Sequence, residues 1–128
     1  MSDYLQRAKN ILVRINELAA ITEEQGCVTR TFGTPAFVEG RSLVKTWMEA
    51  AGLQTTFDAI GNVRGKLVGE NLNAKTFVIG SHIDTVVNAG KFDGPLGVIM
   101  GIDLLEQIIQ TKTKLPFNIE LIAFCDEE

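Results

Sequence analysis

Thr76-Phe77-Val78-Ile79-Gly80 is a short, mostly apolar run, and Phe117-Asn118-Ile119-Glu120-Leu121-Ile122-Ala123-Phe124-Cys125 is a second. Runs of this length fit strands buried on both faces. Residues 81–94 between them are polar and broken by glycine, too irregular for a regular element. Residues 95–110 then carry Leu96, Ile99, Met100, Leu104, Leu105, Ile108 and Ile109 at helical spacing, which predicts a helix with a wide apolar face. Strand, helix, strand implies parallel neighbours joined by a right-handed crossover. Gly97 and Gly101 sit one turn apart and would let the helix lie close on the sheet.

Upstream, residues 53–59 alternate apolar and polar, Gly61-Asn62 is a turn signal, and residues 63–68 continue as a second strand. The two strands predict a hairpin. Before them, Leu5, Ala8, Leu12, Ile15 and Leu18 predict an amphipathic helix over 4–25, stopped by Gly26. A second helix is predicted over 37–51, with Leu43, Val44, Trp47, Met48 and Ala51 on its buried face. The fold class is therefore α/β: a mixed sheet with flanking helices around a strand–helix–strand core.

The 128 residues amount to one domain. Hydrophobic residues make up 45% and charged residues 22%, ordinary for a globular chain. The net charge of −4, without a basic run, argues against nucleic acid or an anionic membrane as partner. No apolar run approaches the roughly 18 residues of a membrane span. The N-terminus has no secretory pattern, and the two cysteines, Cys27 and Cys125, lack metal or redox spacing, so a cytoplasmic setting is expected.

In open α/β sheets, sites gather beyond the carboxyl ends of the strands. Two segments emerge there, 82–94 and 126–128, and they hold His82, Asp84, Asp93, Asp126, Glu127 and Glu128. Taken singly, His82 is a polar loop residue, Asp93 a helix N-cap and the acidic end a solvated one. Taken together, an imidazole and five carboxylates repel one another unless a cation sits among them, and Lys91 is the only basic side chain nearby. One or two divalent metals resolve that conflict. Residues i and i+2 of extended backbone face the same way, so the Asp84 carboxylate can accept the second imidazole N–H of His82. Asp93 can bridge two ions with its two oxygens. Of the adjacent Glu127 and Glu128, one can ligate while the other faces a bound water.

The stretch Gly80-Ser81-His82-Ile83-Asp84-Thr85-Val86-Val87-Asn88-Ala89-Gly90-Lys91-Phe92-Asp93-Gly94-Pro95-Leu96-Gly97-Val98 resembles the metal-site signature of the dinuclear zinc amidohydrolases and exopeptidases related to aminoacylase and carboxypeptidase. Ala123-Phe124-Cys125-Asp126-Glu127-Glu128 resembles their second signature. The interval of eleven from His82 to Asp93 is similar to one branch: the N-carbamoyl-L-amino-acid hydrolases, β-ureidopropionases and allantoate amidohydrolases. Val28-Thr29-Arg30, Thr34-Pro35 and the stretch 58–65 also look like that branch.

The resemblance implies a role for each matching residue. His82 binds one metal, Asp93 bridges both, and Glu128 binds the second. Glu127 is the general base and Asp84 orients His82, so these two make the catalytic pair. The bond from Asp93 to Gly94 is implied to be cis. The ions are two divalent metals: zinc, or manganese, cobalt or nickel. The substrate implied is a small ureido compound, allantoate or an N-carbamoyl-L-amino acid, with release of ammonia and carbon dioxide by a homo-oligomer. The alternatives are a metallopeptidase or aminoacylase of the wider family, and a non-catalytic module that self-associates, which an exposed edge strand at 117–125 would favour. Members supply two further histidine ligands and a dimerisation domain downstream, whereas this chain has one histidine. The resemblance thus implies that residues 1–128 are the N-terminal part of a metal-binding catalytic domain of zinc-exopeptidase-like fold, binding metal weakly and inactive alone.

Overall fold

The computed structural model describes residues 2–128. In chain order the elements are α1 (Ser2–Ala20), α2 (Pro35–Ala50), β1 (Gln54–Phe57), β2 (Val63–Leu67), β3 (Thr76–His82), α3 (Pro95–Gln110) and β4 (Asn118–Phe124). Local chemistry sets their ends. Thr34 caps α2, its Oγ1 accepting the Phe37 N–H at 3.2 Å, and Pro35 opens the first turn, where no N–H is needed. Pro95 opens α3 in the same way. At the far end of α3, the Thr111 hydroxyl donates to Gln107 O at 2.8 Å.

The sheet order is β1-β2-β4-β3. β1 pairs antiparallel with β2 and β2 antiparallel with β4, while β3 and β4 run parallel on either side of α3 in sequence. The predicted hairpin and strand–helix–strand unit are both present, and the sheet is mixed. The register pairs His82 with Phe124. The chain therefore leaves β3 and β4 side by side, and the segments that follow emerge at one end of the sheet.

One face of the sheet carries Ile79, Leu121, Ala123 and Val63 against the helices. A Cβ on Gly101 would lie 2.6 Å from Leu121 Cδ1, and one on Gly97 2.7 Å from Ser81 Oγ, so α3 does seat on the sheet through its two glycines. Val98, Ile99, Ile102 and Leu105 of α3 are fully buried, each worth about 1.5–3 kcal/mol. Met48 of α2 packs against Gly65 of β2. The ion pair of Arg7 with the buried Asp103, at 2.5 Å, ties α1 to α3.

Three expectations are corrected. β3 is an edge strand, and its run is not buried on both faces: Phe77 is 60% and Val78 53% exposed, because no layer of the described residues covers them. The first helix ends at Ala20, well before Gly26, and Leu5 and Leu12 of its expected stripe are exposed. The chain turns early because the Thr22 hydroxyl donates to Cys27 O at 2.9 Å and accepts the Thr29 N–H at 2.9 Å, folding 22–29 into a closed loop. The 117–125 run lies inside the sheet, between β2 and β3, so it offers no free edge.

Candidate metal centre

His82 closes β3, Asp93 ends the following loop, and Glu128 lies beyond β4. The three are far apart in sequence, yet each brings one donor atom into a group whose members lie within 4.8 Å of one another. Parallel pairing of β3 with β4 brings the first and third together. Gly94 brings the second. It occupies the cap position of α3 with φ +82° and ψ −65°, and a Cβ there would lie 2.6 Å from both the His82 ring and the His82 carbonyl. A residue with a side chain would push the imidazole away.

That turn also corrects two expectations. The structure contains no cis peptide bond among the described residues, so the Asp93–Gly94 bond is trans. Reversal at this point comes from the positive φ of Gly94. Asp93 is not the helix cap either. Gly94 holds that position and no side chain caps the helix, which leaves the exposed Asp93 carboxylate to face His82 and Glu128.

The imidazole is held through Asp84, by a different atom from the one expected. Nδ1 of His82 lies 3.0 Å from the main-chain carbonyl of Asp84, whereas its distance to the carboxylate Oδ1 is 3.6 Å. A carbonyl only accepts, so this contact is a hydrogen bond when Nδ1 carries the proton, and in the Nδ1–H tautomer Nε2 is the nitrogen left to ligate. Nε2 lies 3.6 Å from Glu127 Oε2. The His82 side chain is 11% exposed and that of Glu127 57%, so the imidazole is fixed at the base of the group and Glu127 reaches in from solvent.

The Asp84 carboxylate, 2% exposed, serves the other strand end. Its Oδ2 accepts the main-chain N–H groups of Glu127 and Glu128, both at 2.9 Å. Asn62 fixes the same strand end one step earlier, its Oδ1 accepting the Cys125 N–H at 3.0 Å. Asn62 is held in turn by Asp58, whose Oδ2 accepts from Nδ2 at 2.8 Å.

The charge balance favours a cation. Glu128 holds its proton above the ordinary carboxylate range. Loss of surrounding water is the largest cause, followed by the hydrogen bond and charge of Asp93. Lys91 donates instead to Asn16 of α1 at 2.8 Å. Among the described residues no Lys or Arg forms an ion pair with Asp93, Glu127 or Glu128. A neutral imidazole nitrogen plus carboxylate oxygens is a donor set suited to zinc and to manganese, cobalt or nickel.

Sequence reasoning gave no task to Arg30 or to the Asp58–Asn62 pair, and missed the conformational demand at Gly94. Asp-Gly-Pro at a helix start was the available signal for Gly94. An arginine with no acidic neighbour in sequence gives little sign of being buried.

The model of peptidase family M28 matches residues 62–128, just over half of the chain and all of the residues discussed above from Asn62 onward. The chain is 44% identical over 119 residues to allantoate deiminase 2 of Glycine max, covering 91% of this chain and 25% of that protein. It is 38% identical to the N-carbamoyl-L-amino-acid amidohydrolase of Pseudomonas sp. (strain NS671), covering 94% of this chain and 29% of that one. Among solved structures, a hydantoinase/carbamoylase family amidase from Burkholderia ambifaria superposes with a TM-score of 0.88 at 28% identity, over 94% of this chain and 30% of that chain. The chain spans between a quarter and a third of the length of these relatives. By the family match over residues 62–128, the chain belongs to peptidase family M28.

Proposed function

We propose that this chain forms part of a metal-dependent amidohydrolase that cleaves a ureido C–N bond, with allantoate or an N-carbamoyl-L-amino acid as substrate. One observation carries the reading: donor atoms of His82, Asp93 and Glu128 lie within 4.8 Å of one another, with His82 Nδ1 3.0 Å from the Asp84 carbonyl. In this reading His82, Asp93 and Glu128 would hold the divalent metal. A metal held there would supply an acidified water and polarisation of the substrate carbonyl.

The rest of the chemistry falls to the chain. Glu127 is the residue beside the ligand group whose carboxylate is open to solvent. It takes a proton from the attacking water and returns it to the leaving nitrogen. Asp84 keeps Glu127 and Glu128 at fixed positions through their main-chain N–H groups. The ureido group and one water yield an amine, ammonia and carbon dioxide. Residues 1–128 are, in this proposal, the N-terminal part of the catalytic domain. The remaining ligands and the pairing of protomers belong to the portion of the relatives that this chain does not match. The setting is cytoplasmic, and nucleic acid and membranes are not partners; no helix of the described residues is long and apolar enough to cross a membrane.

A second reading, peptide hydrolysis, is favoured by the description of the matching family. The identities to ureido hydrolases argue for the first. The test is ammonia release by the full-length protein from allantoate and from N-carbamoyl amino acids, beside cleavage of dipeptides, each with and without prior chelation. Chelator-sensitive ammonia release supports the proposal. Cleavage of dipeptides alone would overturn it in favour of the peptidase.

A further inference from the structure

Arg30 is fully buried, and its guanidinium joins two parts of the chain. Nη1 donates to the carbonyls of Leu18 and Ile21 at 2.9 Å each, satisfying the end of α1. Nε donates to the carbonyl of Ile83 at 2.9 Å. Ile83 lies between His82 and Asp84, so this bond fixes the peptide whose next carbonyl holds the His82 ring.

The main chain around Arg30 grips the same loop. The Arg30 N–H donates to Thr85 Oγ1 at 2.8 Å, and the Thr85 N–H donates back to Arg30 O at 3.1 Å. Asn88 N–H donates to Thr29 Oγ1 at 2.9 Å and Ala89 N–H to Val28 O at 2.8 Å. Residues 28–30 thus clasp 83–89, most of the path from His82 to Asp93. Arg30 fits tightly in its place: a Cβ on Gly40 would lie 2.7 Å from its Cδ. The location is costly for a cation. Burial lowers its pKa to about 10, and the charge of Asp84 only partly opposes the fall. A buried cation without a carboxylate in contact has an apolar substitute for any packing role. Its three carbonyl acceptors are what an apolar residue could not serve.

We propose that Arg30 is a positioning residue for the metal centre. It acts through Ile83 and Thr85 to hold the Asp84 carbonyl where it fixes the Nδ1–H tautomer of His82. The inference rests on the metal-site reading for its consequence, but the tautomer can be read without metal.

The chain has a single histidine, so its imidazole nitrogens give one set of 15N resonances. The experiment records them at pH 8 for the parent chain, Thr85→Val and Arg30→Lys, then titrates each with Co2+ and follows the visible spectrum. Lysine keeps the charge and loses the fork. Thr85→Val removes one acceptor and keeps the shape, so it stands if Arg30→Lys does not fold. The expected result is the Nδ1–H tautomer in the parent, a mixture in both variants, and Co2+ affinity lower by about tenfold or more. Folded variants with a lower melting temperature but the parent's tautomer and Co2+ affinity would overturn the proposal, because the clasp would then be structural only. A parent chain that shows the expected tautomer but takes up no Co2+ would contradict the metal reading and leave the tautomer comparison to decide the role of Arg30.

Discussion

Oδ2 of Asp84 lies 2.9 Å from the main-chain nitrogen of Glu128 and accepts its N–H. A buried side chain from the loop after β3 thereby sets the position of a carboxylate beyond β4, and the same oxygen holds Glu127. Asp84→Ala should destabilise the chain by about 1–3 kcal/mol, from lost hydrogen bonds within a buried site. It should also lower metal affinity, since two proposed functional residues lose their anchor. Urea unfolding with calorimetric metal titration checks both. Unchanged metal affinity in the folded variant would contradict the anchoring role.

Glu127→Gln should lower kcat of the full-length enzyme by about 10²–10⁴-fold, the usual contribution of a general base. Metal content should stay nearly intact, because Glu127 lies outside the ligand group. Metal analysis beside ammonia release distinguishes the two glutamates. Loss of metal in this variant would mean that their roles are exchanged.

The raised pKa of Glu128 sets a pH dependence. Glu128 holds its proton in the fold to higher pH than in an unfolded chain, where the value is near 4.5. Its favourable contribution is complete below that value and is lost as pH rises through the folded one. A divalent ion takes the place of the proton, so metal uptake should release protons and weaken as pH falls toward the carboxylate range. Calorimetry in buffers of different ionisation enthalpy measures the proton release. Glu128→Gln should stabilise the metal-free chain above that range and abolish the dependence.

Gly94→Ala should cost more than about 1 kcal/mol from the positive φ alone, and more from contact with the His82 carbonyl. Its 15N spectrum should show a displaced imidazole. A variant with parent stability and an unchanged His82 signal would refute the close-approach argument.

The exposed edge of β3 carries Phe77 and Val78. Unpaired backbone beside apolar side chains favours strand addition. The isolated chain should self-associate in sedimentation, and Val78→Lys should shift it toward monomer. A parent chain that is monomeric at high concentration contradicts this.

Period changes and apolar runs in the sequence were enough to read the strand–helix–strand unit, the hairpin and the span of α3, whereas α2 starts at Pro35, inside the stretch read as loop. The burial of β3 was not legible: Thr76 to Gly80 has the composition of a central strand, and what covers a strand is a property of its neighbours. That His82, Asp93 and one of the two glutamates meet was legible from chemistry, because a cluster of one charge sign needs a cation, whereas the choice of Glu128 came from the resemblance. The route of that convergence was not. Which atom of Asp84 meets the imidazole depends on the turn after β3, and Arg30 gains its place only when α1 and the 83–89 loop pack together. The Asp93–Gly94 bond shows a limit of resemblance, since the structure turns there through a trans glycine.

The most direct test of the central claim is anomalous diffraction at the zinc edge, from crystals of the chain soaked in excess Zn2+. A peak is expected within about 2.0–2.2 Å of His82 Nε2 and of carboxylate oxygens of Asp93 and Glu128. Zinc found only elsewhere on the surface, with these three side chains unliganded, would contradict it.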